Sequence, residues 1–361
     1  MTVALWGYYG TNYGDDIMMD VIIRYFEQYN VDVKLIDIYG SNLETKTNNK
    51  YSNVEVIPFF GYSTVQKLKA VRDLAKVKIN LWGGGTIFTD SDGDGNFKSF
   101  ASLETFGGKI GYVGVGIGQL AKRNRRLKTK YLLKKSSFTV FRDMNSLERA
   151  KKFVKHKQFN LAEDLAYVYF NNLNMVPKYK LDKYILVTWR NLVGYTSLDK
   201  EQSIMDAVVE KVKKVMNTKK YETVVLAALD TNFDVESCLT LEKKFKNQGV
   251  NVYFDKDSSV ENITKLIYNA SFHVSGRLHG SIASEFFHIP TLTLSYSPKI
   301  DYFYQSINSN KYHNIYDDMD IRDQLINDII QKKGNKVDFK GKISDASKNF
   351  EYMNGYIQNT K

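Results

Sequence analysis

Short apolar runs alternate with segments of helical period along almost the whole chain, and this order constrains the fold more than any other feature. Residues 3–6 form an apolar run, and in residues 15–29 apolar side chains recur at the spacing of an amphipathic helix. Further apolar runs follow at residues 33–38, 77–82 and 110–115. Strands that alternate with helices of about 10–15 residues predict parallel sheets joined by right-handed crossovers.

A polar segment at residues 171–183, which contains Pro177, interrupts this alternation before it restarts. A chain of 361 residues has room for two domains of ordinary size. We therefore expect an α/β protein with two Rossmann-like domains, residues 1–175 and 176–318, that face each other across a cleft. Residues 319–361 are expected to form C-terminal helices that could cross back onto the first domain.

The composition excludes several classes of protein. Apolar residues make up 43% and charged residues 25% of the chain, which excludes wholesale disorder. The single cysteine, Cys238, excludes an internal disulfide and a cysteine-based zinc site, and it fits a cytoplasmic location. No apolar run is long enough to span a bilayer, and the first residues lack the basic region of a signal peptide. The net charge of +11 favours anionic partners.

The sharpest candidate site follows an apolar strand and opens a helix. It consists of Ser275, Gly276, Arg277, Leu278, His279 and Gly280. Free backbone N–H groups at a helix start attract anions, and Arg277 adds a fork of donors that fits a carboxylate or a phosphate. His279 can donate or accept a proton near neutral pH. The alternative is that Arg277 forms a structural ion pair and His279 caps a turn.

Four further candidate groups lie at strand ends, where open parallel sheets bind ligands. They are Asn12 and Gly14 with Asp15, Gly84 and Gly85 with Asp90, Gly116, and Arg190. Asp15 or Asp16 could instead cap the following helix, and Arg190 could be an ion-pair partner.

Neither a metal site nor a nucleotide loop is expected. Asp90, Asp92 and Asp94 resemble the start of a calcium loop, but Ala101 occupies the position that requires a glutamate. The chain has no clustered histidines for zinc, no Walker loop and no nucleophile elbow. His273, within a strand, is expected to be structural.

Eight cations and no acid lie within residues 121–135. Of the net charge of +11, only +3 is therefore left for the rest of the chain. Such a run is usually a solvated face. The alternative is docking of residues 122–135 on anionic lipid headgroups, where each cation contributes about 1 kcal/mol. Nucleic-acid binding would require aromatic platforms beside the cations, and Tyr131 alone is insufficient, so no nucleic-acid partner is expected.

These motifs, taken in order, resemble the polysaccharide pyruvyl transferase family through most of the chain. The resemblance rests on Asn12 to Asp15, the triple glycine with Asp90, Gly114 to Gly118, Phe141 to Asp143 with Ser146, Glu163 and Asp164, Thr188 to Arg190, Ser275 to His279, Pro290, and Tyr296 with Lys299. Two departures are Gln119, where the family often has proline, and the acidic insertion at Asp92 and Asp94, which could reshape the acceptor side.

The resemblance implies a fold like that of the B-type glycosyltransferases. It also implies transfer of the enolpyruvyl group of phosphoenolpyruvate to two hydroxyls of one sugar, which yields a cyclic ketal and phosphate. The sugar would belong to a cell-envelope polysaccharide or its lipid-linked precursor. The first domain would hold this acceptor and the second the donor. The enzyme would work in the cytoplasm, and the basic segment could hold it at the inner face of the membrane.

The residues accommodate this chemistry. Arg190 and Arg277 would clamp the two anionic groups of phosphoenolpyruvate, with Lys299 and the backbone of Gly276 to Gly280 beside them. His279 would protonate the methylene carbon, and Asp15 or Asp90 would accept the proton of the sugar hydroxyl. No metal or other cofactor is needed, because arginines can stabilise the phosphate charge.

Two other classes of function stay open. A nucleotide-sugar glycosyltransferase of the same fold would use an acidic residue to hold a ribose, and Glu261 could do so. Ser258 with Glu261 could equally form a helix capping box. A non-catalytic partner in envelope assembly could also keep the fold.

Overall fold

The computed structural model describes most of the chain, namely residues 1–90, 93–219, 221–317, 321–331 and 337–359. Asp92 of the predicted acidic insertion and residue 319, where the predicted tail begins, lie outside the described residues. The chain divides into two compact units. The first contains Met1–Gly10, Asp15–Asn172 and Phe339–Lys361, and the second contains Thr11–Gly14 and Leu173–Asp338.

The first unit is a parallel α/β structure with its helices between successive strands. Its strands are β1 (Thr2–Trp6), β2 (Asp32–Ile36), β3 (Val54–Ile57), β4 (Asn80–Gly83), β5 (Thr86–Phe88), β6 (Ile110–Ile117), β7 (Phe138–Phe141) and β8 (Asn160–Leu161). Its helices are α1 (Tyr13–Gln28), α2 (Leu43–Thr47), α3 (Thr64–Leu74), α4 (Phe97–Thr105), α5 (Arg123–Lys135), α6 (Met144–Phe153) and α7 (Ala166–Asn171). The strand order is β3-β2-β1-β4-β6-β7-β8, with β5 paired to β6.

An aromatic layer forms the core on one face of this sheet. Trp6 of β1 packs edge-on against Phe59 and Phe100, and Phe100 stacks on Tyr112 of β6 with ring centroids 5.6 Å apart. Buried side chains of α3, α4, α5 and α6 belong to the same cluster. These four helices therefore cover one face of the first sheet, and every residue of β6 is buried.

The second unit repeats this architecture with six strands. They are β9 (Tyr184–Thr188), β10 (Thr223–Ala227), β11 (Val252–Asp255), β12 (Phe272–Ser275), β13 (Thr291–Ser295) and β14 (Tyr312–Asn314). Its helices are α8 (Leu198–Lys219), α9 (Val235–Asn247), α10 (Val260–Asn269), α11 (Leu278–Phe286), α12 (Pro298–Ser306) and α13 (Asp323–Ile330). All pairs are parallel, in the order β11-β10-β9-β12-β13-β14. Both units are thus Rossmann-like, as the alternation predicts.

Each sheet has one point where the direction of strand succession reverses. In the second sheet β9 lies between β10 and β12, and in the first sheet β1 lies between β2 and β4. Sheets of this kind bind ligands beyond the carboxyl ends of the strands at that point. The loops after β9 and β12, and after β1 and β4, are therefore the places where sites are expected.

The C-terminal region is divided between the units. Helix α13 belongs to the second unit, where Asp323 forms ion pairs with Lys211 and Lys214 of α8. The last helix, α14 (Lys340–Asn359), belongs to the first unit. There Phe350 stacks on Tyr25 of α1 with ring centroids 4.4 Å apart, and Lys342 pairs with Glu163 at 2.6 Å. No helix of the described residues is long and apolar enough to cross a membrane.

Candidate functional site

Three cations lie at the carboxyl ends of neighbouring strands of the second sheet. Arg190 lies two residues after β9, Arg277 two residues after β12, and Lys299 four residues after β13. These strands are adjacent, and their register places Thr188 beside Ser275 and Ser275 beside Thr293. The fold therefore brings together three positions that are distant in sequence, at and beside the point where the strand order reverses.

Arg277 is held by two aspartates. Its Nε and Nη2 donate to Asp234 at 2.8 and 2.6 Å, and Nη2 lies 3.3 Å from Asp230. The residue is only 7% exposed. Burial opposes its charge, but Asp234 beside it raises the pKa of the guanidinium above its ordinary value. The geometry is that of the structural ion pair given above as the alternative, so two of the donor groups of Arg277 face protein carboxylates.

Asp230 also connects Arg277 to the loop that precedes α1. Nδ2 of Asn12 donates to Asp230 at 3.2 Å, and Oδ1 of Asn12 accepts the N–H of Gly14 at 3.0 Å. The backbone N–H of Tyr13 donates to Leu229. Asn12 thus stabilises the conformation of its own loop and connects that loop to Asp230, shortly after β10.

His279 lies against Gly14 of that loop. It is the second residue of α11 and is half-buried. A β-carbon on Gly14 would lie only 1.8 Å from Nδ1 of His279, so only glycine leaves room for the imidazole. The resemblance selects both residues, and the structure places them in contact.

The other residues of the motif around Arg277 have packing roles. A β-carbon on Gly276 would lie 2.8 Å from the backbone nitrogen of Arg190, so glycine allows two loops to approach closely. Ser275 is fully buried, and its hydroxyl donates to the carbonyl of Arg277 at 3.0 Å. Leu278 is buried, and a β-carbon on Gly280 would meet the Ser275 hydroxyl at 2.8 Å.

Arg190 is held between two tyrosine rings. Its guanidinium carbon lies 4.9 Å from the ring centroid of Tyr195 and 4.7 Å from that of Tyr296. Its Nη2 donates to the Tyr195 hydroxyl at 3.2 Å, and its buried Nε has no hydrogen-bond partner among the described residues. Neither Arg190 nor Lys299 forms an ion pair with a carboxylate in the part of the chain that the structure describes. The part of the site formed by Arg190 and Lys299 therefore carries positive charge that no carboxylate of the described residues compensates.

Tyr296 contacts Arg190 and Lys299 and is almost fully buried. Burial alone would raise the pKa of its phenol, but Lys299, Arg190 and Arg277 together lower it below the ordinary value. A pocket beside the ring is lined by Trp189, Arg190, Leu192, Gly276, Leu294, Tyr296 and Ile315. The arrangement favours a ligand with concentrated negative charge.

The candidates of the first unit gather at the reversal point of its own sheet. Gly84 and Gly85 follow β4 with φ of 76° and 82°, a region that L-residues rarely adopt. A β-carbon on Gly85 would lie 3.0 Å from a carboxylate oxygen of Asp15, in the first turn of α1. The N–H of Gly116 donates to the carbonyl of Gly85 at 2.9 Å. Asp15, Gly85 and Gly116 therefore lie at one end of the first sheet.

Asp90 has a different environment from Asp15. Its two carboxylate oxygens accept the backbone N–H groups of Ala121 and Lys122, at 2.6 and 3.1 Å. Lys122 is the N-cap residue of α5. Backbone N–H groups at the start of a helix have no acceptor within the helix, and Asp90 supplies acceptors for two of them at the start of α5. Its observed role is therefore structural.

Three residues with contacts at the site are absent from the prediction: Asp230, Asp234 and Tyr195. Asp230 follows β10, and Asp234 is the N-cap of α9. The sequence pattern that could have identified them is an acidic residue shortly after a predicted strand. The prediction that His273 is structural agrees with the geometry. Its ring lies between Thr188 and Ser284 at 2.9 and 2.6 Å, and burial lowers the pKa of this imidazole to about 3. The described residues contain no group of three or more histidine, cysteine or acidic side chains placed to hold a metal.

Comparison with known families identifies the chain. The model of the polysaccharide pyruvyl transferase family matches residues 12–298, which include every site residue described here except Lys299. The chain belongs to the polysaccharide pyruvyl transferase family. As a member of that family it is a pyruvyl transferase, and the order of motifs in the sequence predicts this family.

Solved structures share the fold of this pyruvyl transferase at low sequence identity. UDP-GlcNAc 2-epimerase from Methanocaldococcus jannaschii, in complex with UDP-GlcNAc and UDP, is 14% identical, with a TM-score of 0.64 over 98% of this chain and 100% of the epimerase. UDP-N-acetylglucosamine 2-epimerase from Rickettsia bellii is 11% identical, with a TM-score of 0.63 over 100% of this chain and 96% of the other. No curated protein sequence matches the chain. The likeness establishes the two-domain fold of B-type glycosyltransferases.

Proposed function

We propose that the enzyme transfers the enolpyruvyl group of phosphoenolpyruvate to two hydroxyls of one sugar in a cell-envelope polysaccharide or its lipid-linked precursor. The observation that carries the proposal is a pair of cations near the ring of Tyr296, Arg190 and Lys299, which have no carboxylate partner among the described residues. Phosphoenolpyruvate carries a carboxylate and a phosphate, so its charge suits two such cations in a partly buried setting.

Each side chain of the site has a separate role in the proposed reaction. Arg190 and Lys299 bind the anionic groups of the donor. Arg277, held by Asp234 and Asp230, fixes the loop that carries His279. His279 donates a proton to the methylene carbon while a sugar hydroxyl attacks the neighbouring carbon. The C–O bond to phosphate then breaks, and the second hydroxyl attacks the same carbon to close the ketal and returns its proton to His279. The proton taken from the first hydroxyl leaves with the phosphate.

The base that accepts the hydroxyl proton is assigned to Asp15. Asp90, the other candidate, has both carboxylate oxygens occupied by the backbone of Ala121 and Lys122. Asp15 lies in the first turn of α1 beside Gly85. The first unit would hold the acceptor sugar.

The proposal is tested by incubating the enzyme with phosphoenolpyruvate and a panel of sugars and lipid-linked saccharides. Mass spectrometry should detect an added pyruvyl unit on one acceptor, with release of phosphate. Arg190→Gln and Lys299→Gln should each raise KM for phosphoenolpyruvate and lower kcat/KM by about 10- to 100-fold, since a charge-assisted hydrogen bond is lost. His279→Asn should instead lower kcat by a factor of about 10² to 10⁴.

Lys256→Gln is the matched control, because Lys256 is an exposed cation of the same unit. Its kinetics should equal those of the native enzyme. Phosphate release with no pyruvylated product from any acceptor would contradict the proposal. Full activity of Arg190→Gln and Lys299→Gln would contradict the assignment of the donor site.

A nucleotide-sugar glycosyltransferase is the second candidate, favoured by one observation. The Methanocaldococcus jannaschii epimerase, which has the same fold, was solved with UDP-GlcNAc and UDP. Glu261, the predicted ribose ligand, is exposed in the first turn of α10. Thermal unfolding with phosphoenolpyruvate and with UDP separates the candidates: we expect only phosphoenolpyruvate to raise Tm, and the reverse result would favour glycosyl transfer.

A further inference from the structure

The eight cations within residues 121–135 fall into groups with different environments. Three of them are neutralised by acids of the first unit. Arg125 and Lys128 lie 3.7 and 2.8 Å from Asp94, and Lys135 lies 2.5 Å from Glu104. Lys122 extends its amine to the backbone carbonyl of Asp90. These four cations are therefore accounted for by contacts that hold α5 in place.

The other four cations share one exposed face of α5. Arg123, Arg126, Lys130 and Lys134 are exposed and form no ion pair with any residue that the structure describes. Residues at spacings of three, four and seven lie on one side of a helix, so these positions form a single row. Leu127 lies within the row and is 58% exposed. We call these five residues the basic stripe.

The opposite face of α5 fixes the direction of the basic stripe. Thr129, Leu132 and Leu133 are buried in or against the core of the first unit. Asp90 holds the start of the helix through two backbone N–H groups. The four cations are therefore presented to solvent by a helix anchored at its end and along its inner side.

We propose that the basic stripe docks the enzyme on an anionic membrane surface. Lysine and arginine near such a surface are attracted to the headgroups, and a central leucine can enter the interface between them. The four unpaired cations supply the charge complementarity, because no carboxylate of the described residues neutralises them. The basic stripe belongs to the first unit, and its attraction to anionic lipid does not depend on the proposed reaction.

The aromatic environment of α5 favours lipid over nucleic acid. Proteins that bind single strands place aromatic rings beside their cations so that bases can stack on them. Tyr131 is the aromatic residue of α5, but its hydroxyl donates to Glu104 at 2.8 Å and its ring packs edge-on against Phe97. It is therefore engaged with α4 and offers no free platform for a base.

The test is co-sedimentation of the full chain with vesicles of equal parts phosphatidylglycerol and phosphatidylcholine, at low ionic strength. We expect binding to these vesicles and not to vesicles of phosphatidylcholine alone. The variant with Arg123→Gln, Arg126→Gln, Lys130→Gln and Lys134→Gln should bind several hundredfold less, since each charge contributes roughly fivefold, or about 1 kcal/mol. Leu127→Ser should weaken binding without removing its dependence on anionic lipid.

The matched control carries Lys178→Gln, Lys219→Gln, Lys243→Gln and Lys256→Gln, which remove the same charge from exposed positions of the second unit. It should bind like the native protein. Equal binding by the stripe variant and the native protein would overturn the proposal, as would equal binding to uncharged vesicles. Release by excess inorganic phosphate at constant ionic strength would indicate a phosphate pocket, and tighter binding to single-stranded RNA a nucleic-acid surface. Either outcome would also overturn it.

Discussion

At the scale of single residues, one glycine controls the position of a proposed catalytic histidine. Gly14 lies in the first turn of α1, where alanine is compatible with the backbone, yet a β-carbon there would lie 1.8 Å from Nδ1 of His279. The imidazole would have to rotate away from its place at the start of α11. Gly14 therefore limits the orientation of His279 by the space it leaves and not through a polar contact of its own.

Gly14→Ala should lower kcat by about 10²-fold, because a misplaced catalytic group loses its alignment with substrate. The Tm should change little, since the ring can turn toward solvent. Steady-state kinetics and thermal unfolding measure the two effects. Gly341→Ala is the control, because a β-carbon there meets nothing within 4 Å. Unchanged kcat in Gly14→Ala would remove His279 from the reaction.

The sequence motif around Arg277 predicts the strand end and the helix start that the structure contains, but not the partner of the arginine. A strand end, a helix start and an arginine between them are visible in residues 275–280. The carboxylates of Asp230 and Asp234 that hold Arg277 lie more than forty residues earlier in the chain. Their approach depends on β10, β9 and β12 being neighbours, and strand order is a property of the folded sheet. Arg190, in contrast, lies at the end of a strand that its apolar run alone predicts.

At the scale of elements, the strongly apolar strands are predicted well and the short, weakly patterned elements are not. Helix α4 is missed because it has nine residues and begins after Asn96, an N-cap residue at φ of 54° whose own side chain forms no cap. The predicted capping box at Ser258 is wrong, since the N-cap is Ser259, whose hydroxyl accepts the N–H of Asn262 at 3.3 Å. Two adjacent serines are equivalent as sequence, and only the path of the backbone distinguishes them.

The start of α5 gives a prediction at this scale. Asp90→Ala should lower the free energy of unfolding by about 1 kcal/mol, as for loss of a helix N-cap, because two N–H groups lose their acceptor. Urea unfolding measures the change. Asp90→Asn, which keeps one acceptor oxygen, should lose less, and Glu148→Ala is an exposed control on α6. Equal stability of Asp90→Ala and the native protein would show that these amides do not need the carboxylate.

At the scale of the whole molecule, the alternation of strands and helices predicts two parallel α/β units because the period of the apolar pattern is strong throughout. The alternation does not reveal two features of how the chain is divided between the two units. Residues Thr11–Gly14 group with the second unit, and the predicted C-terminal segment is shared, with α13 in one unit and α14 in the other. Each depends on packing between segments that are distant in sequence.

The attachment of α14 can be tested by placing a charge on its buried side. Met353 is fully buried in the first unit, whereas Gln358 of the same helix is exposed. Met353→Asp should destabilise the first unit by several kcal/mol, about 2–5 for the lost side chain alone, while Gln358→Asp should have little effect. Hydrogen exchange should show lost protection in β6 and β7 but not in β9 and β10. Equal loss in both sheets would mean that the units unfold together.

The place of α14 in the chain has a consequence for how the protein is made. The ribosome completes every strand of the first sheet long before it reaches Lys340, and Leu173–Asp338 of the second unit are synthesised in between. Until α14 emerges, the ring of Tyr25 lacks Phe350 and the half-buried carboxylate of Glu163 lacks Lys342. The first unit, whose strands are translated before those of the second, therefore completes its folding only when α14 has been made.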